Sequence, residues 1–435
     1  MTKLVIIGLG SGGFAALLSA KKFNSKAEIT VIDEKSFDLL HPCGLPYALE
    51  EILPMKNLKH DINAERMNVK MVKGKAVKID VKNKKIITDN KKEIEFDSLI
   101  IAIGAKPFIP PIKGIQEFLG KTVFTVHSLN DAELINASCI KEKNAVVIGA
   151  GAIGLETAIA LNKRGLKVKI IEAMPNVLSR AMDKDMVSGI EEYLKEKGIE
   201  LLLGKKVEEI KEKSVIAEGQ EIECDLIVLS AGIKPNIELA KESGITLGEK
   251  AVKVNEFMQT NFEEIYAVGD LVEVPNMINE KKLNVGLANS AYLQGLIAGR
   301  NALGAKEKYA GTALTFVTVL GALEIASTGF TKEFAESQGI KVIDARIKGK
   351  NKYDWFPGAK ELTVKVLINE ETKKIIGAQA VGKDAYVRIN IVSTAIKAGM
   401  TLDELLGVEL AYCPPISEAY DVLLLACEMV KRKMN

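Results

Sequence analysis

The residues best suited to chemistry in this sequence are His41-Pro42-Cys43-Gly44-Leu45-Pro46-Tyr47. Cys43 stands just ahead of a helical stretch predicted over 47–52. A thiol at a helix start meets unpaired N–H groups and the positive end of the helix dipole, and it ionises more readily than a free cysteine. Cys43 is therefore a candidate nucleophile and redox centre; its other possible role is that of a small buried apolar residue. Residue 48 is Ala48, so no second thiol is placed for a local redox disulfide. His41 is either an acid/base partner of Cys43 or a loop histidine bonded to backbone.

The elements that must position Cys43 come before it. A buried strand is predicted over 3–9, running into Gly8-Leu9-Gly10-Ser11-Gly12-Gly13, then a helix over 14–23 and a strand over 28–32 that ends on Asp33. Strand, glycine loop, helix, strand and terminal acid together make a dinucleotide-binding fingerprint. Gly8 permits the tight turn, Gly10 lets a pyrophosphate approach the backbone, and Gly13 lets the helix lie close to the strand. Asp33, 20 residues beyond Gly13, can accept a hydrogen bond from a ribose hydroxyl. The pattern recurs: strand 144–148, Gly149-Ala150-Gly151-Ala152-Ile153-Gly154, helix 155–165, strand 167–171 and then Glu172. Two fingerprints imply two dinucleotides. Glu172 favours a free 2′-hydroxyl, and the following Ala173 and Met174 supply no cation for a 2′-phosphate, so NADH is expected over NADPH.

The chain has 435 residues, enough for two or three domains, with 47% hydrophobic and 27% charged side chains. A net charge of +2 argues against nucleic acid or an anionic membrane as partner. Five scattered cysteines make no CxxC pair and no metal spacing, which points to a reducing cytoplasm and to no metal site. No stretch approaches the ~20 apolar residues that span a bilayer.

The remaining chain shows the same duplication. Strands over 76–80 and 85–88 read as a meander, followed by a strand over 96–105 containing Ala102 and Gly104. Lys106-Pro107-Phe108-Ile109-Pro110-Pro111 looks like a domain crossing. A strand over 223–232 ending at Gly232, and the segment 233–236, echo both features. A strand over 260–270 closes on Gly269-Asp270, whose carboxylate can serve a polyhydroxylated chain or cap a turn; a helix over 289–303 follows. From 311 the pattern becomes antiparallel, with strands over 315–319, 341–347, 361–368 and 375–381 and helices over 385–398 and 417–431. The fold class expected is α/β, with two Rossmann-like three-layer domains and a C-terminal α+β domain. The boundaries are 1–112 with 245–310, then 113–244, then 311–435.

Several motifs now stand in order: Gly8-x-Gly10-x-x-Gly13, Cys43-Gly44-Leu45-Pro46-Tyr47, Ala102-Ile103-Gly104, Gly149-x-Gly151-x-x-Gly154-Leu155-Glu156, Tyr266-Ala267-Val268-Gly269-Asp270 and Ala411-Tyr412-Cys413-Pro414-Pro415. In this set the chain resembles, over essentially its full length, the FAD-dependent pyridine nucleotide-disulfide oxidoreductases. It is most similar to their single-cysteine branch of coenzyme A-disulfide reductases, NADH oxidases and peroxidases, and persulfide reductase-like proteins. The resemblance implies FAD at the first fingerprint, with Asp33 on its ribose and Asp270 on its ribityl chain. It implies NAD(P)H at the second, with Glu156 near the nicotinamide. Ser11, Gly12, Glu34, Pro42, Ala102, Gly104, Ala152, Ile153, Gly232, Gly269 and Ala288 are the further positions it places around the cofactors. It also implies a homodimer in which the C-terminal domain brings Tyr412 to the partner's flavin and Cys43. The activity implied is NAD(P)H oxidation through flavin and Cys43, onto a low-molecular-weight disulfide, persulfide or polysulfide. The alternative is an NADH oxidase reducing O2, with Cys43 cycling as a sulfenic acid.

Four departures from the pattern stand out. Ser11 occupies the loop slot where NADH oxidases and peroxidases carry His. Of Ala15, Ser19, Lys22 and Leu39, where coenzyme A-disulfide reductases carry polar or basic groups, only Lys22 is charged. Trp355 and Phe356 replace two tyrosines, and Cys413 replaces Ala. Cys413 is either a resolving thiol for Cys43 or a packed small residue.

Overall fold

The computed structural model describes residues 2–434. Leu4, Val5, Ile6 and Ile7 are all buried. A strand apolar on both faces belongs inside a helix-covered parallel sheet, and Lys3–Ile7 is the middle strand of one. Glu28–Asp33 pairs with it in parallel on one side and Ser98–Ile101 on the other. Val69–Lys73 and Ile265–Ala267 extend the two edges. Strand order reverses at Lys3–Ile7, and a reversal leaves a crevice at the carboxyl ends of the strands where ligands bind.

A second five-stranded parallel sheet repeats the plan, in the order Val123–Thr125, Leu226–Leu229, Asn144–Ile148, Lys167–Glu172, Glu200–Leu203. Each sheet is accompanied by a three-stranded antiparallel meander: Ala76–Asp80, Lys85–Thr88 and Glu93–Glu95 in the first case, Val207–Lys211, Ser214–Ala217 and Gln220–Glu223 in the second. The echo between 106–111 and 233–236 becomes a physical pairing. Ala105–Pro107 and Ile233–Pro235 form an antiparallel ladder, and Asn236 donates from Nδ2 to the Ile103 carbonyl at 2.8 Å.

The chain forms two compact units. One gathers the N-terminal stretch to Leu45, Pro54–Phe108 and Ile233–Thr312; the other gathers Pro46–Leu53, Ile109–Gly232 and the chain from Ala313. In the first, helix Ser11–Phe23 lies against helix Ala288–Asn301 backbone to backbone. A Cβ on Gly295 would sit 2.1 Å from the Gly12 carbonyl oxygen, and one on Gly299 would sit 2.3 Å from that of Ala16.

In the second unit the C-terminal residues form an antiparallel sheet, in the order Phe316–Leu320, Leu323–Gly329, Ile375–Gly382, Glu361–Asn369, Val342–Lys350. Strand Leu323–Gly329 escaped the sequence reading, because its Ala-Ser-Thr-Gly end shows little apolar alternation; helix Lys332–Ser337, at six residues, is too short to show a helical period. The last helix begins at Val422 and not at 417. Asp421 sets that start: its Oδ1 accepts the Leu423 N–H at 2.9 Å, while buried Arg388 grips both carboxylate oxygens at 3.2 and 2.6 Å. The strand expected over 260–270 shrinks to Ile265–Ala267, and Gly269–Leu271 is a 3-10 turn.

Lys365, 3% exposed, joins the C-terminal sheet to the second parallel-sheet region. Its ammonium meets Asp183 at 2.9 Å, Asp185 at 2.8 Å and Asp344 at 3.3 Å. Burial alone would discharge this lysine, but the three carboxylates reverse that tendency and hold its pKa above the ordinary value. Gln379 completes the cluster, accepting the Asp183 N–H and donating to Asp183 Oδ2, each at 2.8 Å. Lys365→Met leaves buried Asp183 without its cation and is expected to destabilise this unit by about 3–5 kcal/mol. The check is a urea unfolding midpoint; a loss under ~1 kcal/mol would show that the cluster does not bear on stability.

Candidate functional site

The two glycine loops have the same local geometry. Gly8 has φ +91°, and a Cβ there would lie 2.5 Å from the Ala102 carbonyl oxygen; Gly149 has φ +107°, with the Ser230 carbonyl oxygen at 2.3 Å. A Cβ on Gly13 would strike the Gly8 carbonyl at 2.0 Å, and one on Gly154 would strike that of Gly149 at 2.1 Å. Gly10 and Gly151, by contrast, face open space. Side chains are thus excluded where helix meets strand, while the middle glycine presents bare backbone to a ligand. Ser11–Phe23 and Ala152–Lys163 begin at these loops with no side-chain cap, so their first N–H groups face the space a pyrophosphate needs. Ser11, Gly12, Ala152 and Ile153 sit in these first turns.

The strand-end acids brace the loops. Asp33 Oδ2 accepts the Leu9 N–H at 2.6 Å; Lys35 donates its N–H to Oδ1 at 2.8 Å and its ammonium to Oδ2 at 2.6 Å. Glu172 does the same in the second unit, accepting from Ala150 N at 2.6 Å and Met174 N at 2.8 Å. Glu34 is exposed one residue past the strand end. Gly104 and Gly232, at φ +60° and +104°, occupy equivalent turns beyond Ser98–Ile101 and Leu226–Leu229.

Asp270 is different, because among the described residues nothing donates to its carboxylate. Desolvation pushes its pKa from 3.8 up to about 6. The preceding Gly269, at φ +81°, donates its N–H to buried Gln294 Oε1 at 2.7 Å, which fixes the turn. Gln294 carried no signal in the sequence. An orphaned carboxylate beside a glycine cradle fits the hydroxyls of a flavin side chain, so the residues present suit FAD.

Cys43 is exposed and lies inside a 3-10 turn, Pro42–Gly44. The helix expected over 47–52 is the five-residue Leu45–Leu49, with Pro46 in its first turn, so its dipole is that of little more than one turn. The turn is anchored instead. His41 N–H donates to the Leu58 carbonyl and Gly44 N–H to the His41 carbonyl, both at 3.0 Å, and a Cβ on Gly44 would meet Leu58 at 2.3 Å. The His41 ring stands edge-on to His60 at 4.6 Å; desolvation first, then the His60 charge, holds its pKa below the ordinary value.

A cavity of about 550 Å3 adjoins this turn. Ser11 and Phe14 of the first helix, Leu39 and His41 of the segment before Cys43, and Ala288, Tyr292 and Leu293 of the later helix line it. Sequence reasoning named Ser11, Leu39, His41 and Ala288 but not Phe14, Tyr292 or Leu293.

In the second unit, Glu156 is held by two hydroxyls that the sequence reading missed. Thr318 donates to its Oε1 at 2.6 Å and Tyr47 to the same oxygen at 3.3 Å. Burial outweighs both and raises the Glu156 pKa. Tyr412 is exposed on the C-terminal loop, edge-on to Tyr353 at 6.0 Å, and Tyr353 stacks on Trp355 at 5.6 Å. Trp355 is 68% and Ile416 61% exposed, an apolar surface next to Tyr412 and Cys413. Among the described residues no helix is long and apolar enough to cross a membrane.

Comparison with known proteins shows the family. The family described as pyridine nucleotide-disulphide oxidoreductase matches residues 2–295, and its dimerisation domain matches residues 315–423. An NADH oxidase of Methanocaldococcus jannaschii is 36% identical, covering 100% of this chain and 99% of the relative. A CoA-dependent NAD(P)H sulfur oxidoreductase of Pyrococcus furiosus is 33% identical over 99% of each. The solved structure of a NAD-dependent persulfide reductase from A. fulgidus has a TM-score of 0.95 and 32% identity, covering 99% of this chain and 83% of that one.

The Asp270 geometry sets a pH signature for the flavin-free protein. Its folded pKa lies above its unfolded one, so folding is favoured by this group at low pH and loses that advantage as pH rises from 3.8 through about 6. Asp270→Asn is expected to match the parent below pH 4 and to exceed it above pH 6 by up to about 3 kcal/mol. Thermal unfolding of both apo-proteins across this range checks it.

Proposed function

This chain belongs to the pyridine nucleotide-disulphide oxidoreductase family and is an NAD(P)H-dependent FAD oxidoreductase, and on that premise we propose that it delivers electrons to low-molecular-weight disulfide, persulfide or polysulfide sulfur by way of Cys43. Bound FAD supplies the two-electron passage from nicotinamide to sulfur. The chain's residues do the rest. Gly10 and its neighbouring N–H groups would receive the FAD pyrophosphate, Asp33 the ribose and Asp270 the ribityl hydroxyls. Gly151 and Glu172 would receive NADH, with Glu156 toward the nicotinamide.

Cys43 performs the sulfur chemistry. Neutral His41 accepts the thiol proton, and the thiolate attacks one sulfur of R–S–S–R′. A Cys43–S–S–R bond forms, the S–S bond of the substrate breaks, and R′S− leaves. Two electrons from NADH then cleave the mixed disulfide to the Cys43 thiolate and RS−. With the protons taken up, NADH + H+ + RSSR′ becomes NAD+ + RSH + R′SH. Tyr412 acts from a second copy of the chain, donating its hydroxyl near the leaving sulfur, and the apolar surface around Trp355 and Ile416 is covered in that homodimer. The setting is cytoplasmic, where thiols stay reduced.

The observation that carries this reading is an exposed Cys43 in an anchored turn, in the same compact unit as Asp33 and the orphaned Asp270. The second reading is O2 reduction with Cys43 as sulfenate, supported by the 36% identity to an NADH oxidase. NADH consumption in air, with and without added disulfide or polysulfide, separates them. Cys43→Ser is expected to abolish the sulfur-dependent rate and to leave only slow H2O2 formation. Sulfur-dependent turnover that survives this change would refute Cys43 as nucleophile.

A further inference from the structure

Resting on the placement of Glu156 toward the nicotinamide, we propose that Thr318 is a positioning residue for hydride transfer, holding the Glu156 side chain as a fixed anion. Thr318 lies on strand Phe316–Leu320, at the edge of the C-terminal sheet, and Glu156 on helix Ala152–Lys163, which opens at the second glycine loop. Both belong to the same compact unit. Pairing with Leu323–Gly329 sets Thr318 opposite Ile325. The hairpin joining the two strands is itself held, because the Tyr193 hydroxyl accepts the Ala322 N–H at 3.3 Å. A Cβ on Gly321 would meet that hydroxyl at 2.6 Å. The backbone beneath Thr318 is thus fixed, and a β-branched side chain has few rotamers left to it.

Buried Thr318 donates to Glu156 Oε1 at 2.6 Å, within the short range of hydroxyl-to-carboxylate bonds, while Tyr47 reaches the same oxygen only at 3.3 Å. Burial raises the Glu156 pKa; Thr318 opposes it most and Tyr47 less. Of the elements packed on this helix, Asn144–Ile148, Phe316–Leu320 and Leu45–Leu49 carry no charged residue. Lys167, Lys169 and Glu172 of the neighbouring strand contribute nothing to the shift, nor does Lys163 on the helix itself, which is paired with Glu50. Two hydroxyls alone therefore offset the burial that would neutralise this carboxylate. Its charge bears on the reaction because the nicotinamide ring becomes cationic as its hydride leaves for FAD. An anion fixed nearby favours that change, and a neutral carboxylic acid does not.

The test joins two measurements on the FAD-loaded enzyme. One is the rate of flavin reduction by NADH against pH, followed by stopped flow. The other, without NADH, is the pH titration of the Glu156 carboxyl carbon-13 resonance, assigned by its loss in Glu156→Gln. The rate is expected to rise with pH as Glu156 ionises. Thr318→Val is expected to move both that rise and the resonance midpoint upward by at least about one pH unit, the worth of one hydrogen bond to a charged group. Thr318→Ser is expected to restore both. A midpoint unmoved in Thr318→Val, or one that moves while the rate profile stays, overturns the inference. Glu156→Gln reduced by NADH at the parent's rate across the range would sink the placement of Glu156 toward the nicotinamide, on which the inference rests. A slow Glu156→Gln beside an unshifted Thr318→Val sinks the inference alone.

Discussion

The contact on which the structure depends is that between Gly13 and the Gly8 carbonyl, repeated between Gly154 and Gly149. A Cβ at the second glycine of either pair would lie about 2 Å from a carbonyl oxygen. Only glycine lets the helix start so close to the strand end, and that closeness aims the first helical N–H groups into the crevice where strand order reverses. The strand-end acid stabilises the arrangement from the other side: Asp33 takes the Leu9 N–H and Glu172 the Ala150 N–H. Two ligand cradles follow from one steric rule, applied twice.

The carboxylates fall into two groups by how completely the fold satisfies them. Asp183 and Asp421 are buried against Lys365 and Arg388, and they tie strands and loops together. Asp270 and Glu156 are left with raised pKa values, Asp270 because burial acts on it alone and Glu156 because burial exceeds the two hydrogen bonds it receives. Buried charge without full compensation is costly, and it accumulates here beside the turns that face the cofactor cradles.

The thiol is set by backbone more than by a dipole. Leu45–Leu49 is too short to exert a strong field, whereas the His41–Leu58 and Gly44–His41 hydrogen bonds and the Gly44–Leu58 packing hold Cys43 outward. The same chain segment reaches on to Tyr47, whose hydroxyl is spent on Glu156. One short stretch thus presents the sulfur and helps brace the carboxyl of the second fingerprint.

Much of this was legible in the residues alone. Both fingerprints, their strand-end acids and the loop that carries Cys43 are local: five or six residues and a period of alternation specify them, because the backbone torsions and steric clearances involved span one turn. The duplication was likewise visible as an echo between 96–111 and 223–236. What tertiary structure decided was every relation across long stretches of chain. The Gln294 bond to Gly269, the Thr318 and Tyr47 bonds to Glu156, and the Phe14–Leu39–Leu293 walls join residues 25 to 279 positions apart, and no periodicity encodes such pairings. Strand Leu323–Gly329 was hidden for a related reason, since its small residues are chosen by close packing against neighbouring strands and not by an apolar pattern of their own.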